Sequence, residues 1–195
     1  WIININANTV SRPTVAVALV LDKSGSMESD SGITVTGLQK RIEVLRYSAL
    51  PLVDIIQEGN AISVTAFDQD PHILMNMTEV GDPSFGVGRA SARTAIINHT
   101  PNAAGMTAIG DGVETGINQL NSPAASPYDV KAMIVLTDGH ETADKTISEV
   151  VDQLSNEHVF AIGLGTADVI QPNALNALTN NTGGYLLMTG NMGND

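Results

Sequence analysis

The sequence has no cysteine and few basic residues, and each shortage excludes a class of protein. Without cysteine, neither a disulfide framework nor a thiolate metal site can form. Nine Lys and Arg residues against 21 Asp and Glu give a net charge of −12, so a phosphate backbone would be repelled and nucleic acid is not an expected partner. No run reaches the roughly 18–20 apolar residues that a transmembrane helix needs.

The residues that are present are typical of a folded domain. The chain has 195 residues, of which 43% are hydrophobic and 15% charged, which indicates a buried core and not a disordered segment. Only four of the nine basic residues are lysine, and asparagine is frequent. This balance favours a secreted or cell-surface location, with a cytoplasmic one as the alternative.

Apolar runs typical of strands recur at six places along the chain, of which those at residues 71–77 and 185–188 are weaker. They cover residues 15–21, 61–67, 71–77, 132–137, 158–163 and 185–188. Near-continuous apolar runs such as MIVLT are typical of parallel strands that are covered on both faces. The link FDQDPH between the second and third runs is too short for a helical crossover. It therefore predicts a hairpin and one antiparallel edge strand.

Helical patterns alternate with these strands. Apolar residues at steps of three and four predict a helix over residues 38–56, with a kink or break at Pro51. Further helices are predicted at about 86–98, 108–120, 146–156 and 172–180. This alternation predicts an α/β fold, namely a doubly wound, Rossmann-like, mostly parallel six-stranded sheet with helices on both faces. Residues 1–13 are expected to form an N-terminal segment or linker, and residues 14–195 the domain.

Polar side chains follow the strands at the edge where ligands collect in a doubly wound sheet. Asp22, Ser24 and Ser26 follow the first strand. Thr107 opens a helix, and Asp138 follows a later strand. These two carboxylates and three hydroxyls are all oxygen donors, which suit Mg²⁺, Mn²⁺ or Ca²⁺ better than zinc or copper. Because two of the nearest donors are neutral, the ion would keep positive charge and would attract an anionic ligand.

The split motif resembles the metal-ion-dependent adhesion site (MIDAS) of von Willebrand factor type A domains. It consists of Asp22-x-Ser24-x-Ser26, Thr107 within GMT and Asp138 within TDG. The stretch LDKSGSM is also similar to the type A domains of calcium-activated chloride channel regulators and of bacterial secreted proteins.

This resemblance implies a non-enzymatic binding module in which a divalent cation bridges the domain to a Glu or Asp carboxylate of a partner protein. It implies that Ser24 and Ser26 bind the metal directly. Thr107 would bind directly or through water, and Asp22 and Asp138 mostly through water. Such a domain is expected within a longer protein that contains other domains.

The end of the chain departs from the family pattern. Domains of this family usually close with a helix after the last strand, whereas here the strand YLLM is followed by TGNMGND. The domain is therefore expected to lack its closing helix and to leave an apolar strip of the sheet or of the helix over 38–56 uncovered. The apolar segment WIININANTV, residues 1–10, is expected to cover this strip, with a neighbouring chain as the alternative.

Two other functions are compatible with parts of the pattern. A Mg²⁺-dependent phosphoryl-transfer enzyme could use Asp22 as its nucleophile, but that chemistry generally needs a second carboxylate two residues later, where this chain has Ser24. A scaffold domain whose metal site is purely structural is the other alternative. A serine hydrolase is disfavoured because the sequence contains no G-x-S-x-G motif.

Overall fold

The computed structural model describes residues 11–84, 86–99, 103–143, 145–166, 170–180 and 182–190. Within these ranges six strands alternate with five α-helices. The strands are β1 Val15–Asp22, β2 Ala61–Phe67, β3 Pro71–Glu79, β4 Val130–Thr137, β5 Glu157–Gly163 and β6 Leu186–Met188. The helices are α1 Arg41–Ile55, α2 Val87–Ile97, α3 Ile109–Leu120, α4 Ile147–Val150 and α5 Pro172–Thr179. Short 3-10 helices cover Gly25–Glu28 and Val151–Gln153.

The strands form one six-stranded sheet in the order β3-β2-β1-β4-β5-β6. All neighbouring pairs are parallel except β2 and β3, which form the expected antiparallel hairpin. The chain winds outward from β1 in one direction through β2 and β3, and from β4 in the other direction through β5 and β6. The predicted doubly wound architecture is therefore confirmed, and the strand order reverses between β1 and β4.

Helices cover both faces of the sheet, as the sequence predicts. On β1, Val20 packs in the core cluster that contains residues of α3, α4 and α5, whereas Leu19 packs in the cluster that contains residues of α1 and α2. The α3 helix lies very close to the sheet: a Cβ added to Gly112 would be 2.6 Å from the Phe67 ring. The buried strands β1 and β2 thus hold the polar edge of the sheet in a fixed position.

Two helices differ in detail from their predicted bounds. The α1 helix begins at Arg41 and not at residue 38, because Lys40 is extended and its N–H donates to the Glu43 carboxylate at 2.9 Å. The helix then runs through Pro51 to Ile55 without a break. The helix predicted over 146–156 is shorter, since α4 passes into a 3-10 turn where two valines, which lower helix propensity, follow one another.

Part of the sheet face beside α1 is incompletely covered within the described ranges. Leu187 of β6 lies opposite Ile162 of β5 and is 52% exposed, and Tyr185, stacked edge-on against Phe160, is 56% exposed. These two apolar side chains are therefore largely exposed on that face, and the absence of a closing helix stays a prediction. The segment 1–10, predicted to cover it, and the last residues of the chain, 191–195, lie outside the described residues.

Candidate metal centre

The residues of the motif meet where β1 and β4 end. These two strands are adjacent and parallel, with Leu21 opposite Leu136. Asp22 follows Leu21 on β1, and Thr137 and Asp138 follow Leu136 at the end of β4. These residues therefore lie side by side at the edge of the sheet. This edge is the point at which the strand order reverses, and in open α/β sheets it is the usual position of a ligand site.

Asp22 is completely buried at this edge, and both of its carboxylate oxygens accept hydrogen bonds. The backbone N–H of Ser24 donates to Oδ1 at 2.7 Å, and the hydroxyl of Thr137 donates to Oδ2 at 2.5 Å. Burial, followed by the nearby carboxylate of Asp138, raises the pKa of Asp22 to about 6. A cation placed between the two carboxylates would relieve the repulsion between them.

Two serine hydroxyls connect the first part of the motif to Asp138. The Ser26 hydroxyl donates to Asp138 Oδ1 at 2.7 Å, and the Ser24 and Ser26 hydroxyl oxygens are 3.1 Å apart. Because the single Ser26 proton is used towards Asp138, Ser24 is the donor in that second pair. The other oxygen of Asp138, Oδ2, accepts from Arg41 Nη1 at 2.7 Å.

Thr107 reaches the same place from the loop before α3. Its backbone N–H donates to the Thr142 hydroxyl at 2.9 Å, and the Thr142 N–H donates to the Thr107 carbonyl at 3.0 Å. These bonds use the backbone of Thr107 and do not occupy its hydroxyl. A Cβ added to Gly139 would be 3.4 Å from Ser26 Oγ and 3.5 Å from Thr107 Oγ1, so both hydroxyls border this glycine.

The turn that carries the serines is anchored by its neighbours. Lys23 donates its N–H to the Phe67 carbonyl at 2.8 Å and accepts from the Ala104 N–H at 3.0 Å. The Gly25 N–H donates to the Gly105 carbonyl at 3.0 Å. Gly105 has a φ of +87°, a left-handed conformation that favours glycine. The turn is thus fixed to β2 and to the loop that precedes Thr107.

The sequence pattern indicates the five candidate donors but not the residues that orient them. Thr137 binds the Asp22 carboxylate, Thr142 holds the backbone of Thr107, and Arg41 forms an ion pair with Asp138. Thr137 has a weak sequence signal, since it stands directly before Asp138. Arg41 has none, because 97 residues separate it from Asp138 and the fold alone brings the two together.

The chemistry of this donor set fits a hard divalent cation. The structure brings together two carboxylates and three hydroxyls, and hard cations such as Mg²⁺ prefer oxygen ligands. Within the described ranges, no group of three or more His, Cys, Asp or Glu side chains could hold a metal ion. A cation at this edge would therefore depend on the hydroxyls of Ser24, Ser26 and Thr107 as well as on the carboxylates.

The architecture and this edge define an open-sheet α/β domain with an oxygen-lined site at its topological switch point. Residues 16–193 match the sequence profile of the von Willebrand factor type A domain, and the chain belongs to that family. Domains of this family are adhesion and interaction modules. The resemblance stated from the motif is therefore confirmed at the level of the family.

The chain is similar to parts of larger proteins. Calcium-activated chloride channel regulator 1 of Mus musculus is 26% identical over 164 residues, which are 84% of this chain and 16% of the relative. The Bos taurus protein of the same name is 28% identical over 169 residues, which are 87% of this chain and 17% of the relative. The chain thus spans about a sixth of the length of these relatives.

Solved structures share the fold at low sequence identity. A von Willebrand factor type A protein from Catenulispora acidiphila has a TM-score of 0.70 and 17% identity, with 90% of this chain and 38% of that chain covered. Proximal thread matrix protein 1 from the mussel byssus, with a zinc-occupied MIDAS motif, has a TM-score of 0.69 and 20% identity. That match covers 91% of this chain and 42% of the mussel protein.

Among the residues described above, no helix is long and apolar enough to cross a membrane.

Proposed function

We propose that this domain is a metal-dependent protein-binding module without enzymatic activity. Asp22, Ser24, Ser26, Thr107 and Asp138 would hold Mg²⁺, or Mn²⁺ or Ca²⁺ in its place, and a Glu or Asp carboxylate of a partner protein would complete the coordination. The observation that carries the proposal is the hydrogen-bonded row Ser24–Ser26–Asp138 beside the buried carboxylate of Asp22. The bound cation would supply a positive charge that attracts the partner's carboxylate.

The mixture of charged and neutral donors supports a ligand-binding role over a closed structural site. Three of the five donors are hydroxyls, which bind without neutralising charge, and the two carboxylates would act mostly through water, so the ion would be less neutralised than by direct carboxylate ligands. Mg²⁺ also keeps several waters when it binds proteins, and a partner's carboxylate can replace one of them. The mussel protein with zinc in its MIDAS motif supports the choice of a divalent cation at this place in the fold.

The burial of Asp22 argues against the phosphoryl-transfer alternative. A nucleophilic carboxylate must reach the phosphorus atom, yet Asp22 is fully buried and its two oxygens already accept from Ser24 and Thr137. Position 24 also lacks the carboxylate that would act as acid or base. Turnover of acetyl phosphate or p-nitrophenyl phosphate with Mg²⁺ should therefore stay at background, and turnover lost in Asp22→Asn would support the enzyme instead.

We infer that the domain is part of a longer protein. The calcium-activated chloride channel regulators are about six times longer than the matched region, so flanking domains are part of the proposal. We place the parent protein outside the cell or on its surface, since this agrees with the scarcity of lysine and with a role in adhesion.

Metal binding is tested by calorimetric titration of EDTA-treated protein with Mg²⁺ and Mn²⁺. We expect one site, and Ser26→Ala should weaken it at least tenfold, because this hydroxyl is both a donor to the ion and the link between Ser24 and Asp138. Asp70→Asn is the matched control, since Asp70 is an exposed acid in the turn between β2 and β3, outside the donor set. Equal metal affinity in the parent and in Ser26→Ala would contradict the proposal.

The bridging step is tested with Mn²⁺-loaded protein and acetate as the carboxylate probe. Acetate that replaces metal-bound water should lower the water-proton relaxation rate of the protein-bound Mn²⁺ in a saturable way. A site that binds Mn²⁺ but shows no response to acetate would favour the purely structural scaffold.

A further inference from the structure

A guanidinium group lies against the candidate metal centre. Arg41 is the first residue of α1, and its Nη1 lies 2.7 Å from Asp138 Oδ2. The Asp138 side chain is completely buried, whereas 19% of the Arg41 side chain is exposed. The positive member of this ion pair is therefore partly exposed to solvent, whereas the negative member is not.

The two oxygens of Asp138 have different partners. Oδ1 accepts from the Ser26 hydroxyl at 2.7 Å, and Oδ2 accepts from Arg41. The oxygen that faces the serines is therefore not the one that binds the guanidinium. Because a cation held beside the serines would use Oδ1, Asp138 can keep Arg41 and a cation at the same time.

We propose that Arg41 sets the charge of the metal centre, so that the centre binds its cation less tightly and its carboxylate ligand more tightly. This inference rests on the proposed function. Asp22 and Asp138 with Arg41 have a net charge of −1. A divalent cation changes this to +1, whereas without Arg41 the loaded centre would be neutral. The loaded centre with Arg41 therefore attracts an anionic ligand.

Two lysines near this edge have carboxylate partners of their own. Lys23 forms an ion pair with Asp68 at 2.8 Å, and Lys40 forms one with Glu28 at 2.5 Å. Their charges are thereby offset by acids outside the donor set. Arg41, in contrast, is paired with a carboxylate of the donor set itself, so its charge belongs to the centre.

The charge argument predicts two effects of opposite sign for Arg41→Gln. Removal of a positive charge should tighten Mn²⁺ binding by about tenfold, and should weaken acetate binding to the Mn²⁺-loaded protein by about tenfold. Mn²⁺ affinity is measured by the electron paramagnetic resonance signal of the free ion, and acetate affinity by water-proton relaxation. In EDTA, the variant should also unfold at a lower temperature, because buried Asp138 loses its partner.

Three further variants separate charge from shape. Arg41→Lys keeps the charge and should retain both affinities of the parent, whereas Arg41→Met lacks the charge, keeps an apolar stem and should repeat the result of Arg41→Gln. Lys40→Gln is the matched control, since it removes one positive charge from the neighbouring position, where the side chain is 48% exposed and pairs with Glu28. We expect both affinities to change less than twofold in this control.

Three different results would contradict the inference, each for its own reason. If Arg41→Gln weakens both Mn²⁺ and acetate binding, Arg41 only orients Asp138 and the inference is overturned. If Mn²⁺ binding tightens and acetate binding is unchanged, Arg41 only competes with the cation, which also overturns it. If the parent itself binds no Mn²⁺, the proposed function fails and this inference fails with it, before any variant is needed.

Discussion

His99 should make the domain sensitive to acid, because the folded protein protonates it only at a lower pH than the unfolded chain does. The residue follows α2 and is completely buried. Burial, and then the positive charge of Arg46, lowers the pKa of His99 to about 4. The imidazole is therefore neutral in the folded protein at pH values where the unfolded chain is protonated.

The size and sign of the effect follow from the two pKa values. The ordinary pKa of 6.5 applies to the unfolded chain, and the folded value is about 4. Between these values the unfolded state binds more protons, so this contribution to stability is complete above pH 6.5 and is lost as the pH falls towards 4. One pKa unit corresponds to about 1.4 kcal/mol, so the loss is about 3 kcal/mol. That is a large part of the roughly 5–15 kcal/mol by which domains are stable.

The assay is urea unfolding of the EDTA-treated protein at several pH values between about 7 and 4.5. His99→Phe replaces the imidazole by an apolar ring of similar shape that cannot titrate, so the acid-induced loss of stability should shrink by most of this 3 kcal/mol. Asp22 titrates in the opposite direction in metal-free protein, but it contributes equally to parent and variant. Parallel stability curves for the two proteins would refute the reasoning. His158→Phe is the matched control, because the His158 ring is exposed and solvated.

Two further predictions concern the centre and the core beneath it. Asp22→Asn should stabilise the metal-free protein at pH 7 by about 3 kcal/mol, because the folded pKa of about 6, against an ordinary value of 3.8, makes ionised Asp22 costly. The gain should vanish below about pH 4, and urea unfolding in EDTA measures both. An unchanged stability would contradict this account, as would thermal stabilisation by Mg²⁺ that persists in the variant. Gly112→Ala should destabilise the fold by about 1–3 kcal/mol, since the new Cβ would lie 2.6 Å from the Phe67 ring, whereas Asn118→Ala on the exposed side of α3 should cost little. Equal unfolding free energies for these two alanine variants would show that α3 can move away from the sheet.

Much of the fold could be predicted because its signals are local. Buried parallel strands need apolar side chains on both faces, so runs such as VAVALVL and MIVLT mark β1 and β4 directly. The link between β2 and β3 is too short for a crossover, which predicts the antiparallel edge strand. Helix ends were less predictable, since α1 begins at Arg41 through a hydrogen bond between Lys40 and Glu43 that competes with the apolar periodicity of the region.

The five candidate donors were also readable from the sequence, because each lies within a few residues of the end of a strand or the start of a helix. Only the tertiary structure decided which residues hold these donors in place and which charges lie beside them. Two contacts join residues that are far apart in sequence, namely the hydrogen bond from Thr137 to Asp22 and the ion pair of Arg41 with Asp138. The burial of His99 likewise depends on the packing of the whole domain. Burial and the distance between charges depend on the packed fold, so these properties have no local pattern from which they could be predicted.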